Sequence, residues 1–255
     1  GLRVSVGRID GSIYNDALLH DVRVSDPQGV FLEARAVRLD WWPLGWLSNR
    51  LEIDTLHAPE VRLRRMPKLK PSLKKGKILP DFDIRIMRLA VDRLVMEKGV
   101  TGQADVLTLN GDADIRDGHA LADLTLRSLK GRDSLVLALD SRPDENRFDI
   151  DLTVDAPAGG LLGAMAGLKQ DANLRLAGQG DWAAWDGRLV ATLDAKSAAG
   201  LNIHLRKGNF LLEGAVSGGG IANRGLLARL SSPELRIRAQ GKKEKKLLSG
   251  DFSAK

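Results

Sequence analysis

The sequence contains no cysteine, which removes disulfide frameworks, thiolate metal sites and cysteine nucleophiles from consideration without fixing a compartment. Aromatic residues make up only 4%. Stacking platforms for bases are therefore scarce, and nucleic acid is not an expected partner. The four histidines, His20, His57, His119 and His204, are scattered, and none sits at a metal-ligand spacing from another. There is no G-x-S-x-G elbow. The aspartates alternate along apolar runs as a solvated sheet face does, so no acid–base pair is assigned. We expect no catalytic residue, no metal and no cofactor, and hence not an enzyme. No run approaches the roughly 20 apolar residues that span a bilayer. Gly1 is not a natural start, so the chain reads as an excerpt.

What is present is a core-forming composition, 43% hydrophobic over 255 residues, with a net charge of +6 and a pI near 9.6. That balance favours an anionic partner, and with few aromatics a membrane surface is the better expectation. Apolar and polar residues alternate over 50–54, 82–86, 134–140, 148–155, 172–178, 187–194, 201–208 and 210–218, the period of strands with one apolar and one wet face. Asn110-Gly111-Asp112, Asp117-Gly118, Lys130-Gly131-Arg132-Asp133 and Lys207-Gly208-Asn209 read as turns, and short spacers imply antiparallel neighbours. A closed sandwich and an open curved sheet would share this alternation. Register is expected to slip between Thr55 and Ala58 and from Met87 to Val91.

Three segments break the alternation. Pro43–Asn49 allows a turn or two of helix. Residues 157–168 predict a proline-led helix with Leu161, Leu162, Met165 and Leu168 on one side, packed on the sheet as a cap because no Lys or Arg marks it as a membrane-surface helix. A third helix is expected near 221–230. Residues 62–77 carry eight basic residues, two prolines and no acid, a solvated linker or a contact for lipid headgroups. The organisation is thus 1–66 as an N-terminal β region with a Trp-rich turn, 67–80 as a basic linker, and 81–255 as repeating strands. Gly178-Gln179-Gly180-Asp181-Trp182-Ala183 matches a dinucleotide fingerprint, but a strand follows where a phosphate site needs a helix.

Two stretches carry a resemblance. Gly11-Ser12, the DVRVSDPQG run from Asp21 to Gly29, and VRLDWWPLGWL leading into LEIDTLHAPEVRLRR resemble the N-terminal region of the TamB-like family within the AsmA-like superfamily. PAGGLLGAMAGLKQDANLRLAGQGDWAAWDGRLVATLD, 157–194, is similar to its recurring helix, strand, G-x-G turn and Trp-Asp-Gly step. The resemblance implies a mainly β fold: a long curled antiparallel sheet forming an open hydrophobic groove (β-taco), with short capping helices. It implies a periplasmic protein of a Gram-negative bacterium, anchored to the inner membrane through a segment outside this chain, that moves phospholipid between inner and outer membranes. The alternative it implies is an assembly and translocation factor for outer-membrane proteins, acting by strand pairing with a TamA-like outer-membrane barrel partner. Phospholipid acyl chains would lie along Leu135, Leu137, Leu139, Phe148, Ile150, Leu152, Val154, Leu174, Leu176, Leu189, Leu193, Leu201, Ile203, Leu205, Phe210, Leu212 and Val216.

Overall fold

A computed structural model describes residues 2–12, 15–68, 83–142, 147–181, 183–207, 209–217, 235–244 and 247–254. The expected helix near 221–230 and most of the basic linker lie outside them. The described chain is mainly β and forms one curled sheet of seventeen strand segments.

The strands are β1 (Arg3–Ser5), β2 (Arg8–Gly11), β3 (Asp16–Asp26), β4 (Gly29–Trp42), β5 (Arg50–Ala58), β6 (Val61–Leu63), β7 (Asp83–Met96), β8 (Asp105–Arg116) and β9 (His119–Ser128). They continue as β10 (Ser134–Arg142), β11 (Arg147–Ala156), β12 (Ala172–Gly180), β13 (Ala184–Leu193), β14 (Lys196–Arg206), β15 (Asn209–Val216), β16 (Leu235–Glu244) and β17 (Leu247–Ala254). β1 and β2 share a column against β3, which pairs with β4. β5 and β6, separated by Pro59 and Glu60, share the next column. From β7 to β17 each strand pairs antiparallel with its successor.

The sheet is not wholly antiparallel, as the short spacers had implied. β7 runs parallel to β5 and β6, with Arg50 opposite Asp83 and Leu63 opposite Met96. A parallel step requires the chain to return along the strand, and residues 64–82 supply more than the dozen that such a crossover needs. The same sheet therefore continues on both sides of the basic segment. Asn110-Gly111-Asp112 is likewise no turn; it lies inside β8. Gly111 is needed there for close approach, since a methyl group on it would run into the Asp123 backbone carbonyl. Asp117-Gly118 does turn between β8 and β9, and both residues have positive φ, as a type I′ hairpin demands.

Strand ends form two long margins. One carries the 3₁₀ turn Pro43–Ser48 and the Asp117-Gly118 turn. The other carries α1 (Lys98–Thr101) and α2 (Leu161–Met165). α2 is shorter than the helix expected over 157–168, because Gly159 and Gly167 adopt positive φ on either side of it and end the helical run. The expected apolar stripe also splits: Leu161 and Gly163 are buried while Met165 is 51% exposed.

Register irregularities are concentrated in the first half of the sheet. Register shifts occur at Val24/Ser25, Asp40/Trp41, Ile86/Leu89 and Val91/Leu94, whereas β9 to β15 contain one, at Ala191/Thr192. Each extra residue bends and twists its strand locally. The bent half encloses a buried cluster of Ala34, Ala58, Val61 and Val91, packed by Val22, Leu32, Val37, Leu94 and Leu109. At its edge the buried carboxylate of Asp26 takes both guanidinium nitrogens of Arg65 at 2.7 Å and the backbone N–H groups of Gln28 and Lys68. Arg65 also lies over the Phe31 ring and donates to Gly29 O. This ties the chain leaving β6 to the β3–β4 turn.

Candidate functional site: an aliphatic sheet face

Cross-strand register decides which side chains share a face, because directly opposed residues point the same way. Leu135 opposes Val154, Leu137 opposes Leu152 and Leu139 opposes Ile150. Leu152 opposes Leu176, Leu176 opposes Leu189, Leu189 opposes Leu201 and Ile203 opposes Leu212. Followed strand by strand, with Phe148, Val154, Leu174, Leu193, Leu205, Phe210 and Val216 in the same alternation, all seventeen candidate lining residues fall on one face of β10 to β15. Among the described residues of β9 to β15, the only charged residue on that side is Lys196, in the outermost pair opposite Leu193. Sixteen of the seventeen are half-buried, and Leu193 is buried. A side chain sealed in a core would be covered; one on a solvated face would be exposed. These are neither.

The opposite face is polar and internally paired. Every histidine meets an aspartate of a neighbouring strand: His20–Asp10 at 2.8 Å, His57–Asp92 at 2.9 Å, His119–Asp140 at 2.7 Å and His204–Asp186 at 2.6 Å. Arg206 forks onto Asp186 at 2.7 and 2.8 Å, and Arg147 bonds Asp149 at 2.8 Å. The His204 contact, then Arg206, holds the Asp186 carboxyl below its ordinary range. For Asp149 the Gly180 N–H is the first cause and Arg147 the second. These pairs settle a conflict that strand register creates, since Asp140 stands opposite Asp149 and like charges so placed repel. Exposed pairs of this kind each contribute about 0–1 kcal/mol. They set which side faces water more than they add stability.

A hollow of about 720 Å³ lies on this polar face, lined by Asp123, Asp140, Asp149, Asp151, Asp186 and His204 with Ala138, Ala177, Gly178 and Gly187. Leu121, Leu139, Ile150, Gln179, Arg188 and Asn202 complete its lining. Several of its carboxylates are already bound by Arg147, His119, His204 and Arg206. Among the described residues no cluster of three or more His, Asp or Glu can hold a metal ion. The aliphatic face is therefore the stronger candidate: it is continuous over six strands and its surface is unspent.

Two features of the face escape a strand-by-strand reading. The Trp185 indole, 6% exposed, lies across the glycines of β12 and β13, where Gly178 and Gly187 oppose each other. A methyl group on Gly178 would fall 2.9 Å from Cε2 and nearer still to Cζ2 and Cη2; one on Gly187 would fall 2.5 Å from Cζ3. Trp185 Nε1 donates to Phe148 O at 2.6 Å, so the indole also bridges to β11. This explains why G-x-G and Trp-Asp-Gly occur together: the glycines are a seat for the ring, and no phosphate loop is formed. The second feature is Asp133, 3% exposed, whose Oδ1 accepts the Leu162 N–H at 2.9 Å. It caps α2 from the β9–β10 turn. Gly160 makes room for this contact, because a methyl group there would lie 2.6 Å from Asp133 Oδ1.

No family model matches the chain, and neither the curated proteins nor the solved structures contain a significant match to it.

Proposed function

We propose that this chain is part of a periplasmic envelope protein of a Gram-negative bacterium that carries phospholipid between the inner and outer membranes along an open hydrophobic groove. The observation that carries this is the aliphatic face of β10 to β15, uncharged apart from its margin and left half-buried. Acyl chains in water cost about 0.8 kcal/mol per methylene, and a continuous dry wall removes that cost at each position. Movement along such a wall needs continuity and no chemical step, which agrees with a sequence in which no catalytic constellation is assigned. The TamB-like resemblance of 7–67 and 157–194 points the same way.

The test is lipid extraction of the purified chain followed by mass spectrometry. Phospholipid is expected to co-purify, and the double variant Ile150→Asp, Leu152→Asp is expected to lose most of it while keeping its β-sheet circular dichroism. A folded wild-type chain free of phospholipid, or a folded variant that carries as much as wild type, refutes the groove.

A second reading, assembly of outer-membrane proteins by strand addition with a barrel partner, is favoured by the β1–β2 edge. Val4 there is 68% exposed, with Leu2 and Ile9 also exposed, and among the described residues no strand pairs with its outer side. Open edges of this kind recruit strands. Photo-cross-linking from position 4 to an unfolded outer-membrane strand peptide is the matching experiment.

A further inference from the structure

We infer that Trp42 and the 3₁₀ turn Pro43–Ser48 form a membrane-contact tip, whose apolar side chains sink into the boundary between headgroups and acyl chains of a phospholipid bilayer and hold the β1–β4 end of the sheet there. The contact lies away from the aliphatic face of β10 to β15, and it stands or falls independently of lipid carriage along that face.

The turn exposes more apolar surface than its length accounts for. Leu47 is 84% exposed, the most of any large apolar residue among those described, and Trp42 and Leu44 are each 56% exposed. Single exposed apolar side chains are ordinary, but three within six residues are the kind of surface that marks a contact. Among the described residues, eight of the fifteen exposed large apolar side chains lie between Leu2 and Leu47, in about a fifth of the described chain. The turn follows β4, which stands two strand spacings, about 10 Å, from the β1–β2 edge. The exposed apolar surface is thus gathered toward one end of the sheet.

The backbone around the turn keeps these side chains from folding back. On its near side Trp41 N–H donates to Asn15 O at 3.1 Å, and on its far side Asp83 N–H donates to Asn49 O at 3.0 Å. Asn49 has a φ of 60°, the left-handed conformation that turns the chain into β5. At the centre Gly45 is buried, and a methyl group there would come within 3.1 Å of Arg50 O. The inner side of the turn is closed on the start of β5, and the outer side is left to Trp42, Leu44 and Leu47.

The chemistry of the tip selects a bilayer. Residues 41–48 contain no charge, and the cations flanking them are paired, Arg38 with Asp16 at 3.6 Å and Arg50 with Asp83 at 3.7 Å. Recognition here is therefore by transfer of apolar surface and not by charge. A side chain as exposed as Leu47 stands out from the surface and lines no cleft. Tryptophan, an apolar ring with one N–H, favours the headgroup boundary. Six residues of 3₁₀ turn extend about 12 Å at 2 Å per residue, enough for the depth of about 5–10 Å at which interfacial elements lie and too short to cross a core about 30 Å thick.

The chain has no cysteine, so a nitroxide can be attached to Leu47→Cys alone, with Ala183→Cys on another turn of the same margin and Lys130→Cys on the opposite margin as references. Each chain is mixed with phosphatidylcholine vesicles in high salt, which screens attraction due to the net charge of +6. Paramagnetic resonance then measures relaxation by oxygen, which concentrates in the acyl layer, and by a water-soluble nickel chelate. The label at 47 is expected to be relaxed by oxygen and shielded from the chelate, while those at 183 and 130 stay open to the chelate. The double variant Leu44→Asp, Leu47→Asp is expected to co-sediment with the vesicles about tenfold less and to keep its β-sheet circular dichroism, because both side chains are exposed. A label at 47 as open to the chelate as the one at 183 overturns the bilayer contact, whether or not the double variant folds. Undiminished co-sedimentation of the folded double variant overturns it as well. Neither result alters the phospholipid extraction, which reads the aliphatic face.

Discussion

Replacing Gly178 with Ala should destabilise the protein, although the same change in an ordinary strand would stabilise it. Glycine inside a strand costs about 0.5–1 kcal/mol relative to alanine through the entropy of the unfolded chain. Gly178 has no positive φ that would forbid a side chain. The new methyl group, however, would collide with the Trp185 ring. If the ring stays, it does so strained, at about 1–3 kcal/mol for overpacking. If it leaves, the protein loses the burial of a large aromatic, of order 4 kcal/mol for about 150 Å² at 25 cal/mol per Å². It then also loses the bond from Nε1 to Phe148 O, worth about 1 kcal/mol. The cheaper response governs, so after the entropic gain the expected net loss is about 1–2 kcal/mol.

Trp185→Ala alone should cost about 3–5 kcal/mol. In that background the obstacle is gone, and Gly178→Ala should now stabilise by up to about 1 kcal/mol. Urea unfolding followed by far-ultraviolet circular dichroism measures all four corners of the cycle without depending on tryptophan emission. A change of sign between backgrounds is the prediction. If Gly178→Ala has the same effect with and without Trp185, the ring does not sit on the glycine pair and the account of the G-x-G and Trp-Asp-Gly motifs fails.

Much of β9 to β15 can be read from the sequence because its signal is local. Strict alternation assigns Leu152 and Asp151 to opposite faces before any pairing is known, and hairpins such as Asp117-Gly118 keep neighbours in sequence adjacent in space. What could not be read depends on distant partners. The parallel return of β7 beside β5 is invisible to a rule about short spacers, since nothing in RLEID or FDIRI specifies direction. Asn110-Gly111-Asp112 shows the ambiguity of glycine: the same letters serve a turn that needs positive φ or a strand in which the Asp123 carbonyl of the neighbour leaves no room for a Cβ. The slip expected from Met87 to Val91 coincides with the shift at Ile86/Leu89, where Met87 and Arg88 fall between the paired residues; the adjacent charges Asp92 and Arg93 fall within the next shift, at Val91/Leu94. The other shift falls at Asp54, just before the expected Thr55. Asp133 could not be identified as a cap, since it lies 29 positions from the amide it accepts. Likewise the period places the seventeen aliphatic residues on one face, but how far each is covered depends on its neighbours across the strands, which the period does not carry.

Two further perturbations probe the bent half of the sheet. Leu107→Ala should cost about 2–5 kcal/mol through the cavity it leaves beneath Leu161, and combining it with Leu161→Ala should cost less than the two single losses together, because both empty the same contact. Additive losses in urea unfolding would separate α2 from the sheet. The last prediction concerns acid. Arg65 first, then the N–H groups of Lys68 and Gln28, hold the Asp26 carboxyl far below its ordinary range, so the native state binds fewer protons than the unfolded chain. That contribution is complete above the unfolded value of about 4 and declines as pH falls through the acid range toward the native value. Asp149 and Asp186, also lowered, act in the same direction. The urea midpoint should therefore begin to fall below about pH 5 and still be falling at pH 3. Asp26→Asn keeps the shape but removes the charge, so it should be less stable than wild type at pH 7 and show a shallower acid decline. If its decline parallels that of wild type, Asp26 is not what holds residues 65–68 to the β3–β4 turn.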